Sequence, residues 1–146
     1  MQTRKNCQNF DSTKKGVSYP VLTRHAKSEI RRLAREGRSF VRIDSECAEG
    51  EEYAEMIGPQ LSTVEGVESV KIVHGLFRTD FPFSVDGKLE YKHEHCWLLV
   101  NDTLIVDVGS DEFNALAPVF KKIELIDVAE DTRHETTKIQ DISEVE

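Results

Sequence analysis

The stretch YKHEHCWLLVNDTLIVDV, residues 91–108, contains two apolar runs separated by a short polar segment. Runs rich in aromatic, leucine and β-branched residues that are bounded by turn residues are typical of paired strands, so the stretch predicts a β-hairpin. If Asn101-Asp102-Thr103 forms its loop, Leu98 pairs with Val106. The rest of the fold is predicted outward from this hairpin.

The register of the hairpin predicts which side chains share a face. With a three-residue loop, His95 lies diagonal to Asp107 on one face, within reach of its carboxylate. A two-residue loop would instead bury Asp107 on an apolar face, and burying an unpaired charge is expensive. The three-residue loop leaves a uniformly apolar second face, made of Cys96, Leu98, Val100, Leu104, Val106 and Val108.

The segment before the hairpin has helical periodicity. Apolar residues recur at spacings of three and four from Leu22, and Gly37 is placed as a C-terminal stop. Ser39–Ile43 is expected to be a short strand or an extended link. A second helix is predicted to begin near Asp44 or Ser45 and to end at Gly58-Pro59. Its expected buried face consists of Cys47, Gly50, Ala54, Ile57 and Leu61.

Strand-like segments follow the helices. Helices first and consecutive strands afterwards predict the α+β class, with N-terminal helices packed on a mainly antiparallel sheet of about four strands. We expect a flexible basic arm over residues 1–21, a single domain over 22–128 and an acidic, frayed tail over 129–146. A long loop or irregular hairpin is expected over Arg78–Glu90. The predicted strands are Val67–Phe77, Tyr91–Val100, Leu104–Val108 and Val119–Val128.

Charge and cysteine content exclude several classes of protein. Residues 1–38 contain ten Lys or Arg and three Asp or Glu, whereas the remainder contains nine and 24. The predicted domain is therefore acidic, which argues against a nucleic-acid partner. The three widely spaced cysteines do not suggest a disulfide framework and predict a reducing, cytoplasmic location. The sequence contains no apolar run of membrane-spanning length, so no membrane partner is expected.

Cys47, His95 and Asp107 are the candidate catalytic residues. A thiol is a good nucleophile as a thiolate, which the N-terminus of a helix and a nearby imidazolium both favour. A histidine base in turn needs a group that fixes its tautomer, and a carboxylate serves this purpose. The chain contains these three groups in a plausible structural order. Trp97, beside the candidate base, is the predicted substrate-binding residue, as a wall of the cleft; packing in the core is its alternative role.

These motifs resemble a known family. A cysteine on a helix, then His95-Cys96-Trp97-Leu98 and Val106-Asp107-Val108 on successive strands, is similar to the transglutaminase-like branch of the papain-like cysteine enzymes. The resemblance implies a papain-like core and attack on an acyl carbon. Its substrate would be a peptide, a protein, or a small amide or ester, handled by hydrolysis or acyl transfer without a metal or other cofactor.

A second hypothesis is a non-catalytic binding or inhibitor protein that retains this frame. It is favoured by Glu46, Glu49, Glu51 and Glu52, because carboxylates near Cys47 oppose thiolate formation. Among the other candidates, Cys96 follows His95 directly on the strand, so its side chain is expected on the opposite face, in the core. His93 is the reserve base, and His74 is expected to be structural. The spacing of these residues lacks the paired ligands typical of a zinc site.

Overall fold

The computed structural model describes residues 19–44, 50–85, 88–114 and 119–142. Two helices precede five strands, and short 3-10 turns at Ser110–Phe113 and Val128–Glu130 flank the fourth strand. Neither helix in this part of the chain has the length and apolar character needed to cross a membrane. The elements are α1 (Arg24–Asp44), α2 (Gly50–Leu61), β1 (Val70–Val85), β2 (Lys88–Val100), β3 (Leu104–Val108), β4 (Ile123–Asp127) and β5 (His134–Asp141).

The strands form one antiparallel sheet in the order β4-β3-β2-β1-β5. The α+β class is therefore confirmed, with five strands in place of the predicted four. The predicted hairpin register is also confirmed, because Leu98 pairs with Val106 and Val100 pairs with Leu104. Asn101 and Asp102 have φ angles of 52° and 56°, which suit the tight connection of a twisted hairpin.

The two faces of the sheet are covered differently. Both helices pack on the face that contains Leu98, Val100 and Val106, where they form the main hydrophobic core. The alternating residues point to the opposite face, where Trp97 packs with Val73 and Ile105. His95 and Asp107 belong to this second face, so the bodies of the helices lie on the other side of the sheet from them.

The predicted helix ends are wrong. α1 continues through Gly37 to Asp44, so Gly37 is not its stop and 39–43 is not a strand. A Cβ added at Gly37 would lie 2.5 Å from Cγ1 of Ile57, so the glycine allows α1 and α2 to approach closely. α2 likewise continues beyond Gly58-Pro59 to Leu61. Of the two predicted starts of α2, Asp44 is instead the last residue of α1, and Ser45 lies outside the described residues.

The irregular hairpin, one of the two structures expected over Arg78–Glu90, is confirmed, because residues 78–85 and 88–90 extend the β1–β2 pair with an irregularity between Arg78 and Phe83. Two other strand predictions need correction. β4 is shorter than predicted, at Ile123–Asp127. Most importantly, the predicted frayed tail contains β5, which pairs with the outer edge of β1. Most side chains of β5 are exposed, so backbone pairing replaces the apolar pattern as its source of order.

Gly75 allows β5 to dock on β1. A Cβ at this position would collide with the carbonyl oxygen of Glu135 and lie 2.7 Å from Cη2 of Trp97. We expect Gly75→Ala to lower the free energy of unfolding by about 1–3 kcal/mol, as overpacking of a buried site does. Urea denaturation measures this, with Ser28→Ala on the exposed side of α1 as the control. Equal stability of the two variants would contradict the tight approach.

Candidate active site

The N-terminus of α2 reaches the face of the sheet that holds His95. β2 and β3 are paired only from Leu98–Val106 toward the hairpin loop, and Gly50 lies where the two strands have separated. A Cβ added at Gly50 would lie 2.8 Å from the carbonyl oxygen of Cys96 and 3.1 Å from Nδ1 of His95. A side chain at position 50 would therefore displace the helix from the imidazole.

His95 and Asp107 form a buried pair. Nε2 of His95 lies 2.8 Å from Oδ1 of Asp107, and the two side chains are 0% and 1% exposed. Because a carboxylate only accepts hydrogen bonds, this nitrogen carries the proton and donates it. The contact expected from the hairpin register is thus present, although the pairing stops one residue short of an Asp107–Trp97 ladder pair.

The other ring nitrogen of His95 faces the start of α2. Oε2 of Glu112 lies 3.3 Å from this nitrogen. The geometry of that contact does not make a hydrogen bond, so within the described residues this buried nitrogen has no hydrogen-bond partner. Nδ1 is therefore the nitrogen of His95 that remains able to exchange a proton with another group.

A second histidine, His134, binds the other oxygen of Asp107. Nε2 of His134 lies 2.6 Å from Oδ2 of Asp107, and Nδ1 lies 2.7 Å from Oδ1 of Asp131. The backbone N–H of His134 also donates to Asp131 Oδ2, at 3.0 Å. We call His95, Asp107, His134 and Asp131 the histidine–aspartate network. His134 and Asp131 were not among the predicted site residues, because their polar, acidic segment was expected to be a frayed tail.

Mutual charge stabilisation dominates the network. Burial opposes the imidazolium form of His95, but the carboxylates of Asp107 and Glu112 raise its pKa to about 9. Burial likewise opposes charge on the other members, yet His95 and His134 hold the pKa of Asp107 below its usual value. Asp107 and Asp131 raise the pKa of His134 above its ordinary value. At neutral pH the imidazole of His95 is therefore protonated, and the two carboxylates that face His134 favour its protonated form as well.

This charge state predicts how stability depends on pH. The pKa of His95 is about 9 in the folded protein and about 6.5 when unfolded. Protonation of His95 therefore stabilises the folded state, and this stabilisation is complete below pH 6.5. That contribution is lost as the pH rises through 9, and it amounts to roughly 3 kcal/mol. Urea unfolding between pH 6 and 9.5 is expected to show this decline, and His95→Gln is expected to flatten it. Parallel curves for the two proteins would contradict the assignment.

A partly buried ion pair fixes the turn that carries Glu112. Arg38 donates from Nη1 and Nη2 to the two carboxylate oxygens of Asp111, at 2.8 and 2.9 Å. Its guanidinium also lies over the ring of Tyr53, 5.3 Å from the centroid. Since α1 supplies the arginine and α2 the tyrosine, both helices hold the 3-10 turn Ser110–Phe113 against the site.

The remaining sequence candidates have the following positions. Cys47 lies outside the described residues. Trp97 is 2% exposed and packs edge-on to His134, so the substrate contact predicted for it has almost no accessible surface, and its alternative role in packing is the observed one. Cys96 is on the opposite face from His95, with Sγ 3.0 Å from Nδ1 of His74.

The reserve base, His93, is 6% exposed and stacks on the ring of Phe113. Within the described ranges, no group of three His, Cys, Asp or Glu side chains is arranged to hold a metal ion.

Comparison of the chain with protein-family models, with curated proteins and with solved structures found no match.

Proposed function

We propose that this protein is a cysteine-nucleophile hydrolase or acyltransferase that acts on an amide, peptide or ester carbonyl. Cys47 is the nucleophile, His95 is the general acid and base, and Asp107 orients His95. One observation carries the proposal. The imidazole of His95 is buried, with Nε2 bound to Asp107 and Nδ1 directed toward the first residue of α2 without a hydrogen bond from any residue that the structure describes.

Chain connectivity allows the thiol of Cys47 to reach this nitrogen. Cys47 precedes Gly50 by three residues. Three residues span at most about 10 Å even when fully extended. Because a Cβ at Gly50 would lie 3.1 Å from Nδ1 of His95, this length of chain allows the thiol of Cys47 to reach the imidazole.

The charge of His95 suits a thiol more than a hydroxyl nucleophile. A protonated imidazole cannot remove the proton of a serine or a water molecule, but it stabilises a neighbouring thiolate as an ion pair. In the proposed reaction the thiolate attacks the carbonyl carbon, and the carbonyl oxygen takes the electron pair. The leaving group departs with the proton from His95 Nδ1, leaving a thioester on Cys47. Water or an acceptor amine or alcohol then gives its proton to His95 and cleaves the thioester.

The order of elements supports a papain-like core for this activity. α2 begins in the gap where β2 and β3 separate, His95 lies on β2, and Asp107 lies on β3. A transglutaminase-like enzyme is expected to place its cysteine, histidine and aspartate on elements in this order. The resemblance found in the motifs and the arrangement of the strands thus favour the same proposal.

A second candidate function is a binding protein without catalysis. Glu112 favours it, because Oε2 lies 3.3 Å from the nitrogen that the thiolate would use. A carboxylate in this position competes with the thiolate for the imidazolium and raises the free energy of an ionised thiol beside it.

Acylation by 4-nitrophenyl acetate tests the proposal. We expect a burst of one equivalent of 4-nitrophenol per protein and an acetyl thioester on Cys47, identified by peptide mass spectrometry. Cys47→Ser is expected to abolish the burst, whereas Cys96→Ser, on the opposite face, retains it. Release of 4-nitrophenol that persists in Cys47→Ser would reject Cys47 as the nucleophile. Absence of any acyl-protein in the wild type would favour the binding function.

Glu112→Gln separates the two candidate functions further. The substitution removes a negative charge near Nδ1 of His95, and the side chain is 45% exposed, so the fold should tolerate it. For an enzyme we expect several-fold faster acylation of Cys47 at pH 6, because the competing carboxylate is gone. The pKa of His95 should also fall, since Glu112 contributes to raising it. An acylation rate equal to or below the wild-type value would show that Glu112 does not compete with the thiolate.

A further inference from the structure

His134 takes no part in the proposed reaction, yet it is placed as firmly as His95. We infer that His134 is a positioning residue, which holds the carboxylate of Asp107 so that Oδ1 faces His95. Asp131, in turn, holds His134. The inference rests on the proposed function for its catalytic meaning, while its structural content can be tested separately.

Asp107 depends on His134 for its orientation. Within the described residues each oxygen of this carboxylate has one hydrogen bond, from His95 to Oδ1 and from His134 to Oδ2. The terminal torsion of an aspartate is soft, so one hydrogen bond alone fixes the plane of the carboxylate poorly. Losing His134 would also leave Oδ2 buried without a donor, which favours rotation or protonation of the group.

Hydrogen bonds and ring packing fix the position of the His134 side chain. Asp131 accepts hydrogen bonds from both the ring Nδ1 and the backbone N–H of His134. The ring packs edge-on against Trp97 and Phe77, with centroid distances of 4.5 and 5.2 Å, and the side chain is 2% exposed. Because both ring nitrogens face carboxylates, only the doubly protonated ring donates to both.

The charged groups near His134 determine how it acts on Asp107. The carboxylates of Asp107 and Asp131 face it directly, and the imidazolium of His95 lies beyond Asp107. The neighbouring guanidinium of Arg133 is bound elsewhere, to Asp80 at 2.9 Å and to a backbone carbonyl. His134 therefore has two effects on Asp107. It supplies a donor that orients the carboxylate and a positive charge that offsets the carboxylate's attraction for the His95 proton.

Two substitutions separate these effects. His134→Gln places an amide N–H near the position of Nε2, so it keeps a donor for Asp107 and removes the charge. His134→Phe fills the same space against Trp97 but removes both the donor and the charge. The pKa of His95 is measured by NMR titration of the histidine Cε1–H signals in a Cys47→Ser background, which removes any contribution of the thiol. His25→Gln, an exposed position on α1, is the control and assigns one of the five signals.

We expect opposite shifts in the two variants. The pKa of His95 should rise in His134→Gln, because Asp107 stays oriented and loses a competing positive charge. It should fall in His134→Phe, because the carboxylate is no longer held against His95. Shifts in the same direction would show that His134 acts by charge alone or only by maintaining the fold. An unchanged pKa in both variants would overturn any role.

Activity gives an independent measurement, in protein that retains Cys47. Acylation by 4-nitrophenyl acetate should slow roughly 10- to 100-fold in His134→Phe, as misplaced catalytic groups cause, and by less in His134→Gln. If the wild type is not acylated, the proposed function fails, while the titration still decides the role of His134.

Asp131→Asn is the second variant if His134→Phe does not fold. It leaves His134 in place and removes the carboxylate that holds its second proton. We expect the ring of His134 to become neutral at a lower pH and the pKa of His95 to rise, as in His134→Gln. A pKa of His95 that is unmoved in both Asp131→Asn and His134→Gln would overturn the inference.

Discussion

Replacing His95 by glutamine is expected to slow the alkylation of Cys47 by iodoacetamide at pH 6 by about 10²-fold. The reason is the thiolate population. A thiol with an ordinary pKa of about 8.5 is less than about 1% ionised at pH 6, whereas a thiol paired with an imidazolium is mostly ionised. Nδ1 of His95 lies beside Gly50 at the start of α2 and has no hydrogen-bond partner among the described residues. Peptide mass spectrometry after timed quenching measures the rate at each cysteine.

The matched control is His93→Gln. His93 is two residues away on the same strand and face, but it stacks on Phe113. We expect its replacement to leave the rate at Cys47 within a few-fold of the wild type. The difference in rate between wild type and His95→Gln should also disappear at pH 9–10, where the thiol of Cys47 is ionised in both proteins. If His93→Gln slows Cys47 and His95→Gln does not, the reserve base is the true partner.

Replacing Asp107 by alanine is expected to lower the free energy of unfolding by about 3–5 kcal/mol at pH 7, the usual cost of removing one partner from a buried charged pair. Both His95 and His134 lose the carboxylate that holds their protons, and both are almost completely buried. Asp107→Asn should cost less, because the amide keeps the shape and one acceptor oxygen. Urea denaturation at pH 7 measures each loss.

An exposed ion pair supplies the control for this loss. The side chain of Asp80 is 64% exposed, and its carboxylate lies 2.9 Å from Arg133. Asp80→Ala removes this carboxylate. We expect almost no change in the unfolding midpoint, since exposed pairs contribute little. The loss caused by Asp107→Ala should also shrink as the pH rises through 9, where His95 becomes neutral in the wild type. Equal effects of the Asp107 and Asp80 substitutions would exclude a strongly coupled network.

The contact between His95 and Asp107 could be predicted from sequence because these two polar residues lie in otherwise apolar runs. A three-residue loop places both of them on one face and leaves the other face uniformly apolar, and the observed register is the one that this loop predicts. The small-residue face of α2 was also predictable, and Gly50, Ala54 and Ile57 are buried as expected. In both cases the local order of polar and apolar residues predicts which side chains share a face.

The other features depend on contacts that leave no local pattern. Gly37 is a good helix stop by propensity, but packing against Ile57 favours a continuous helix, so tertiary structure decides the outcome. β5 is an edge strand with exposed side chains, and the backbone of β1 provides its order. His134 therefore belongs to a segment whose composition resembles a disordered tail. Its partner Asp107 is 27 positions away in sequence.

The position of β5 in the chain gives the histidine–aspartate network an order of assembly. During synthesis the N-terminal elements emerge first, so α1, α2 and β1 to β4 are present before Asp131 and His134 leave the ribosome. Until then Asp107 lacks the donor to Oδ2 that His134 provides in the finished fold. In the proposed enzyme the nascent chain would therefore carry Cys47 beside an incompletely held base. Full nucleophilic reactivity would be delayed until the last strand has paired and the rest of the domain has folded.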